Sequence, residues 1–351
     1  MAYRNVFKIS LLSLTLGLFS STINAAGFQL NEHSAAGLGR AFAGEGAMND
    51  TAAAASRNPA TMMMFDRPTV SFGATYVNPT VDIEGKSRHS GLDASEDNIA
   101  PNEIVPNAHY VQPLSDKFAV GLSLTSNFGL STQYPDSYVA GTLGGKTEMI
   151  TGNLNLNGAY RPNEHFSFGL GVNAVYAKAK VIRKAGDLYD VANDALGGMA
   201  GDLGLSRASE VANLKGDDWG YGWNIGLLYE LDENNRFGLS YRSRVKIKFS
   251  GDYKNDLPVK YDKLTHLLTE AGLPPTGGET WSGRLNLTLP DIWEFSAWHK
   301  VAPKWAVHYG IMYTQWRTFE ELHATGGPDN GTLFYKYEGF NDNIRVALGT
   351  T

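Results

Sequence analysis

The stretch FSFGLGVNAVYAKAKVIRKAGD (166–187) decides the fold class, because its residues alternate between two chemical types. From Val175 to Val181 the odd positions are apolar, whereas the even positions carry a tyrosine and two lysines. A period of two is typical of a β-strand whose two faces meet different surroundings. Arg183 is also an odd position, so it interrupts the apolar face, which we expect to contact lipid.

The same alternation recurs along the chain and predicts about ten strands. The other predicted strands are 69–77, 107–114, 118–130, 149–160, 219–231, 236–249, 282–298, 305–316 and 343–351. Short polar turns such as 161–165 alternate with long loops at 185–218 and 252–280. This pattern indicates an all-β fold, a transmembrane antiparallel β-barrel, because closing the sheet satisfies every backbone hydrogen bond in lipid.

Aromatic residues gather near the ends of the predicted strands, which is typical of the interfacial girdles of such barrels. They are Trp219, Tyr221, Trp223, Tyr229, Trp293, Trp298, Trp305 and Trp316. A β-sandwich with one wet face is the alternative fold. Sandwich strands are usually shorter and need no double aromatic belt, so the barrel is favoured.

Residues 1–25 are predicted to be a signal peptide. Arg4 and Lys8 precede an apolar run, and small residues allow cleavage after Ala25. Export of a barrel implies the bacterial outer membrane. The chain has no cysteine and a formal charge of −6, so we expect neither disulfides nor a nucleic-acid partner.

Residues 26–66 differ from the rest, because they are rich in small residues and do not alternate. They are predicted to form a plug inside the barrel, with a periplasmic leader as the alternative. Within the two long loops, 187–199 and 261–274 have apolar residues on one helical face. These loop helices either pack on each other or leave an apolar groove between them.

Basic residues recur on the even positions of two predicted strands, and we expect them to form a cationic strip inside the barrel. They are Lys178, Lys180, Arg242, Arg244, Lys246 and Lys248. Such a strip either pairs with acidic side chains or attracts an anionic solute. No catalytic, cofactor or metal motif is found, since the eight histidines are scattered and GLGVNA (169–174) lies within a strand. We therefore do not expect an enzyme.

Two segments carry a family resemblance, namely AGFQLNEHSAAGLGRAFAGEGA (26–47) and SRNPATMMMFDRP (56–68). They resemble the N-terminal hatch of the FadL family of bacterial outer-membrane long-chain fatty acid transporters. NLNLNGAYR, WGYGWNIGLLYELDENNR and EGFNDNIRVALGTT match that family in the same order. The resemblance covers essentially the whole chain after the signal peptide.

The resemblance implies a fourteen-stranded barrel that is plugged by the hatch and takes up hydrophobic substrates from the outer-membrane surface. Ligand would meet a groove between loops 185–218 and 252–280, then a lumenal pocket, and would leave sideways at a kinked strand. Residues 67–351 would supply about ten strands of this barrel. Relative to the family, the chain is therefore expected to be a truncated product or a fragment.

The resemblance also implies functional residues. Arg183 and Lys336 would bind the fatty acid carboxylate, since paired cations offset the cost of desolvating it. The hatch and lateral gate would consist of Phe28, Asn58, Pro59, Ala60 and Gly129, with Asn58 facing the gap. If Arg183 turns inward from a lipid-facing wall, the strand must break its regular pairing between Val181 and Arg183.

Two other functions remain open. A relative tuned to aromatic hydrocarbons would fit the same fold, but a neutral substrate needs no paired cations. A surface adhesin or phage receptor would fit the long loops equally well.

Overall fold

The computed structural model describes residues 27–87, 90–259, 265–266, 268–269 and 272–351. The predicted signal peptide lies outside the described residues, as does half of the predicted loop helix 261–274. Of the described part, 265–266 and 268–269 are helical, whereas 272–274 are not. No helix within the described residues is long and apolar enough to cross a membrane.

The N-terminal segment folds into short helical pieces that fill the space enclosed by the sheet. These pieces are α1 (Ala35–Gly39), a 3-10 turn (Glu45–Ala47), α2 (Ala54–Arg57) and a second 3-10 turn (Pro59–Met64). Ser34 begins α1, because its Oγ accepts a hydrogen bond from the Gly37 amide at 2.9 Å. Several of the alanines are fully buried, so the plug fits a narrow lumen.

Everything after the hatch is dominated by strands, fifteen in the described residues, joined in one antiparallel sheet. They are β1 (Thr69–Val77), β2 (Glu103–Ser115), β3 (Phe118–Thr125), β4 (Gly129–Gln133), β5 (Gly145–Tyr160), β6 (Phe166–Lys184), β7 (Glu210–Asp232), β8 (Asn235–Arg242), β9 (Val245–Lys254), β10 (Trp281–Leu289), β11 (Ile292–Ala302), β12 (Trp305–Thr314), β13 (Glu321–Gly326), β14 (Gly331–Tyr337) and β15 (Asn343–Thr350). Helix α3 (Leu188–Ala195) lies in the loop between β6 and β7.

The strands pair in the order β1-β2-β3-β5-β6-β7-β8-β11-β12-β15. At the long-loop end β9 joins β7 to β10, and β10 continues to the β13–β14 hairpin. The sheet curls around the hatch. On one side Met62 packs with Val111 of β2, and on the other the Arg345 guanidinium of β15 lies 5.6 Å from the centre of the Phe42 ring.

The structure divides several predicted strands. The predicted strand 118–130 becomes β3 and β4, 236–249 becomes β8 and β9, and 282–298 becomes β10 and β11. Pro290 explains the last division, because proline has no amide to donate to a ladder. The β13–β14 hairpin was not predicted, and β7 begins at Glu210, which shortens the first long loop to 185–209.

The faces of β6 exchange their chemistry along the strand. In its first half the even positions are exposed and apolar, from Phe166 to Val172, whereas Ser167 and Asn173 are buried and polar. In its second half Val175 and Ala177 are buried and the lysines point outward. The in-and-out alternation of side chains continues without a shift up to Arg183. The inward face therefore changes from polar to apolar along β6, and the outward face changes from apolar to cationic.

Paired aromatic rings mark the level at which this reversal occurs. Tyr176 lies 5.3 Å from Trp219, and Trp223 and Trp293 each lie close to Tyr241. At the short-turn end two further ring pairs complete the second girdle, Phe118–Tyr160 and Phe166–Tyr229. About ten tilted residues between the two levels match the apolar band of about 25 Å that is typical of outer-membrane barrels.

Two predicted girdle residues point inward instead. Trp298 stacks under the Arg236 guanidinium at 4.0 Å, and Trp316 is buried in the interior cluster. Position near a strand end does not distinguish a lipid-facing aromatic residue from one that packs against the hatch or lines the lumen.

The predicted cationic strip inside the barrel is wrong. Lys178, Lys180, Lys246 and Lys248 lie on the outer face, and Arg244 is also exposed and pairs with an aspartate. Only one member faces inward: Arg242 donates to the Ser56 carbonyl oxygen at 2.6 Å and to Asn173 Oδ1 at 2.7 Å. Above the girdle the outer surface of the sheet is exposed to solvent, so lysine side chains are favoured on that surface.

The predicted break between Val181 and Arg183 is also absent. Val181 pairs with Thr147 and Arg183 with Gly145 in an unbroken register, and the shift on the β7 side follows Arg183 rather than preceding it. No break is required, because the apolar odd face is already the lumenal face at this height. Arg183 therefore points inward as part of the regular alternation.

Single cysteines test the reversal of faces, since the chain has none of its own. Ala177 is fully buried and Lys178 is exposed, although the two are adjacent. We expect the Lys178→Cys variant to react with a charged maleimide about tenfold faster or more than the Ala177→Cys variant, because exposure controls the rate. Labelling rates of the folded protein, followed by mass spectrometry, measure this. Equal rates would mean that the assignment of faces is wrong.

Candidate functional site

The lumen at the long-loop end contains an apolar cavity of about 100 Å³. It is lined by side chains from several strands and from the hatch, among them Phe28, Met149, Val181, Phe249, Leu287 and Phe319. The reversal of faces creates this environment, because above the girdle the inward positions of β6, β9 and β10 are apolar. Voids of this size are few in close-packed protein interiors, so the cavity is a candidate ligand site.

Phe28, at the start of the hatch, stands at the centre of an aromatic cluster beside this cavity. Its ring lies 4.7 Å from Trp316, 5.3 Å from Phe319 and 6.2 Å from Phe128. Gly27 has a φ of +57°, and a Cβ there would lie 2.8 Å from the Trp316 ring, so glycine permits this close approach. The cluster separates the cavity from the polar part of the lumen.

Arg183 is buried inside the wall above the cavity. Its guanidinium donates to the Ile182 carbonyl oxygen at 2.8 Å, the Lys146 carbonyl oxygen at 3.2 Å and Thr147 Oγ1 at 3.0 Å. Burial raises the pKa of the neighbouring Tyr134 phenol, which therefore stays neutral and supplies no counter-charge. Among the described residues no carboxylate oxygen lies within ion-pair distance of Arg183.

Lys336, the other predicted carboxylate contact, lies on β14 opposite Leu322. Its Nζ is 2.9 Å from Glu338 Oε1, and its side chain is 53% exposed. Glu338 is also the acidic side chain whose charge reaches Arg183. Sequence reasoning did not assign Glu338, although this residue stands inside the motif that identified Lys336 and its carboxylate pairs with Lys336.

Neither cation lines the apolar cavity itself. Their neighbours do, since Val181 of β6 and Leu322 of β13 both contact it. Arg183 and Lys336 thus lie at the edge of the cavity. This is where a charged head group would be if its apolar chain filled the space below.

The wall is interrupted between β3 and β4. Ladder pairing of β2 with β3 ends at Ala108–Leu124, and β4 pairs with β5 alone. The hatch supplies replacement hydrogen bonds at the break. The Gly129 amide donates to the Phe28 carbonyl oxygen at 3.0 Å, and the Leu30 amide donates to the Asn127 carbonyl oxygen at 2.8 Å.

Gly129 is the predicted pivot of this kink, and it stands directly after the interruption. A Cβ there would lie 2.9 Å from Leu30 Cδ1, so the hatch approaches the wall closely at this point. Phe28 therefore contacts two places at once, because its ring lies in the aromatic cluster and its carbonyl oxygen binds Gly129.

A cavity of about 780 Å³ lies beside the interruption. Leu30 and Asn153 line its inner side, whereas Ile104, Ile150 and Leu154, which are exposed on the outer wall, line its outer side. The cavity therefore has lining residues from both sides of the wall, and it reaches the girdle residues Tyr176 and Trp219.

The Asn-Pro-Ala segment lies elsewhere. The fully buried Asn58 donates from Nδ2 to the Gly46 and Leu227 carbonyl oxygens at 2.8 and 3.0 Å, and its Oδ1 accepts from the Ala60 amide at 3.1 Å. Pro59 packs over Gly169, where a Cβ would lie 2.7 Å from the proline Cβ. Asn58 thus fixes the hatch to β6 and β7 and does not line the gap, contrary to the expected position.

An ion pair also fixes the hatch to the wall. Arg57 Nε lies 3.0 Å from Glu294 Oε2, and both side chains are almost completely buried. Sequence reasoning missed this pair, because partners 237 positions apart give no local signal.

The two long loops pack together, at least in their described parts. Leu205 from the first loop and Leu257, Leu268 and Leu273 from the second share one apolar cluster with Val211. Of the two possibilities left open for the loop helices, this packing favours mutual contact. The predicted helix 187–199 is present as α3, although it is shorter than predicted.

Comparison with known proteins shows what the chain resembles. A family model described as outer membrane protein transport protein (OMPP1/FadL/TodX) matches residues 16–351. The long-chain fatty acid transport protein of Escherichia coli O6:H1 strain CFT073 is 51% identical over 358 residues, which cover 100% of this chain and 79% of that protein.

Two solved structures share the fold. A Pseudomonas aeruginosa FadL homologue superposes with a TM-score of 0.74 at 20% identity, covering 93% of this chain and 77% of that one. The Ralstonia pickettii toluene transporter TbuX superposes with a TM-score of 0.60 at 16% identity, covering 89% of this chain and 81% of that one.

Asn58 provides a test of how the hatch is held. We expect Asn58→Ala to lower the free energy of unfolding by about 1–3 kcal/mol, because it leaves two buried carbonyl oxygens and one amide without partners. Asn49→Ala is the matched control, since its side chain makes only two hydrogen bonds: it donates to the Met64 carbonyl oxygen at 3.0 Å and accepts from the Arg236 guanidinium at 3.3 Å. Thermal unfolding, followed by the shift in gel mobility, compares the two. An Asn58→Ala variant as stable as the control would contradict the assignment.

Proposed function

We propose that the chain, which belongs to the OMPP1/FadL/TodX family of outer membrane transport proteins, takes up long-chain fatty acids passively through its lumen. It is a β-barrel protein of the bacterial outer membrane, and relatives that are 51% identical to it are named long-chain fatty acid transport proteins. Transport of this kind needs no covalent chemistry and no cofactor.

One observation carries the choice of substrate. Arg183 and Lys336 lie next to Val181 and Leu322, which line the apolar cavity, and the buried Arg183 lacks a carboxylate partner among the described residues. A fatty acid supplies both an apolar chain and one anionic head. Charge-assisted hydrogen bonds from Arg183 and Lys336 would offset the desolvation of that head.

Glu338 would compete with the fatty acid carboxylate for Lys336. In the empty pocket its carboxylate pairs with Lys336 and lies in the field of Arg183. An incoming fatty acid carboxylate takes over this pairing. Because the Lys336 side chain is half exposed, the existing ion pair is weak and its loss costs little.

The lateral exit follows from the two contacts of Phe28. A chain that enters the cavity displaces the Phe28 ring, and the attached carbonyl oxygen moves away from Gly129. The break between β3 and β4 then loses the hydrogen bonds that the hatch supplies. The cavity beside the break already reaches the apolar outer wall, so the ligand can leave into lipid.

Ligand affinity tests the carboxylate site. We expect the Arg183→Gln/Lys336→Gln variant to bind oleate about 10- to 100-fold more weakly, because each hydrogen bond to a charged group contributes about 1.5–3 kcal/mol in such sites and part of this is recovered by water. The measurement is fluorescence displacement of a labelled fatty acid, with Lys178→Gln on the outer face as the control.

Two further arms sharpen this test. Methyl oleate has no anionic head, so its affinity should not change in the double variant, and the same holds for toluene. Glu338→Gln should raise oleate affinity by up to about fivefold, because it removes a weak competing ion pair. Unchanged oleate affinity in the double variant would refute the site, and a preference for toluene over oleate would favour an aromatic hydrocarbon as the substrate.

Phe28 tests the coupling between pocket and gap. In Phe28→Ala the ligand no longer has to push a ring aside, so we expect oleate binding to be retained or tightened while the uptake rate falls. Phe340→Ala is the control, because Phe340 belongs to the same aromatic cluster but lies outside the hatch. Uptake of radiolabelled oleate by cells, measured beside binding, separates the two effects. A Phe28→Ala variant with normal uptake would contradict the coupling.

A further inference from the structure

The lysines and arginine that lie outside the wall form a surface that transport does not explain. We define the outer cationic cluster as Lys178 and Lys180 of β6, Lys215 of β7, Lys246 and Lys248 of β9, and Arg284 of β10. All six occupy outward positions of their strands, although Lys180, Lys215 and Arg284 also border the apolar cavity. They are gathered on one side of a chain whose formal net charge is −6.

The cluster makes no close ion pair, although carboxylates lie opposite three of its members: Asp217 opposite Lys178, Glu148 opposite Lys180 and Asp252 opposite Lys215. None of its six side chains forms an ion pair or a side-chain hydrogen bond with another described residue. Of the neighbouring carboxylates, Glu148 pairs with Lys146 at 2.7 Å, and Asp217 accepts a hydrogen bond from the Tyr176 hydroxyl at 2.9 Å. Asp252, opposite Lys215, is the remaining one.

Two lysines of the cluster even face each other. Lys180 and Lys215 are directly opposite on adjacent strands. Like charges in that position destabilise a sheet, because their side chains are neighbours on the same face. An external anion lying between them would turn this repulsion into attraction.

The position of the cluster identifies where such an anion would come from. Lys178 is two residues above Tyr176, whose ring pairs with Trp219 in the girdle. Lys246 lies at the level of the girdle. Gly220 stands between the girdle residues Trp219 and Tyr221, and a Cβ built on it would be 2.9 Å from the Lys246 carbonyl oxygen. Girdle aromatics lie at the level of the lipid head groups, so the cluster does too.

We propose that the outer cationic cluster binds the phosphate groups of the phosphorylated glycolipid that forms the outer leaflet around the barrel. Four neighbouring strands about 4.8 Å apart present a cationic surface about 15 Å wide, which is wide enough for a head group with two phosphates. Lysines snorkel toward phosphates at a membrane interface, while their stems stay against apolar surface. The site binds membrane lipid rather than the transported substrate.

Lipid binding by protein extracted from outer membranes in mild detergent tests the proposal. The probes are lipid A, enzymatically dephosphorylated lipid A and inorganic phosphate. We expect Lys178→Gln/Lys180→Gln/Lys215→Gln to bind lipid A about 100-fold more weakly, given the usual contribution of each lysine at an anionic surface. Native mass spectrometry and titration measure the bound lipid.

The matched control removes the same charge from the opposite end of the barrel. Lys117, Lys300 and Lys304 are exposed at the short-turn end, and Lys117→Gln/Lys300→Gln/Lys304→Gln should bind lipid A like the native protein. A triple Lys→Arg variant of 178, 180 and 215 should also retain binding, which separates loss of charge from misfolding. Added salt should weaken the native interaction through screening.

Four results would overturn the proposal. The Gln variant of 178, 180 and 215 could bind lipid A as tightly as the native protein, or the control at the short-turn end could lose as much affinity. Dephosphorylated lipid A could bind as well as lipid A, which would show apolar contact alone. Millimolar inorganic phosphate could displace the lipid completely, which would indicate a site for free anions.

Discussion

The structure depends on one requirement, that every backbone amide and carbonyl group of a sheet in lipid must have a hydrogen-bond partner within the protein. Along the path from β1 to β15 the wall meets this requirement with ladder pairing, and the ladder is interrupted where β3 gives way to β4. There the hatch takes the place of a strand, because Phe28 and Leu30 bond to Gly129 and Asn127. The hatch is therefore part of the wall at this interruption.

Because the backbone bonds occupy the plane of the sheet, side chains can only point in or out. Along β6 the inward face is polar in the first half of the strand and apolar in the second. Below the girdle, outward apolar residues such as Phe168 meet lipid, and inward asparagines form a hydrogen-bonded network. Above it, inward residues such as Ala179 line the apolar cavity, and the lysines occupy outward positions. One regular ladder thus supports two opposite environments.

Alternation predicted the strands well but could not predict which face is the lumen. A period of two separates residues into two sets, and only the surroundings decide which set is inside. The apolar face ending in Arg183 was assigned to lipid, and the lysines of β6 and β9 to the lumen. Both assignments were reversed, because the strands continue above the lipid. Arg183 does point inward, and its role as a ligand contact stays a prediction. Glu338 and the Arg57–Glu294 pair depend on distant partners, which a single sequence does not reveal.

The bond between Phe28 and Gly129 also constrains how the molecule can form. Residues from the beginning of the chain complete a wall made more than 100 positions later, and Gln29 reaches Met312, 283 positions away. Contacts between such distant positions form late, because closing long loops costs entropy before any contact repays it. The contacts between hatch and wall are therefore expected among the last to form. Because the hatch completes the hydrogen bonding of the wall at Gly129, plug and wall depend on each other for stability.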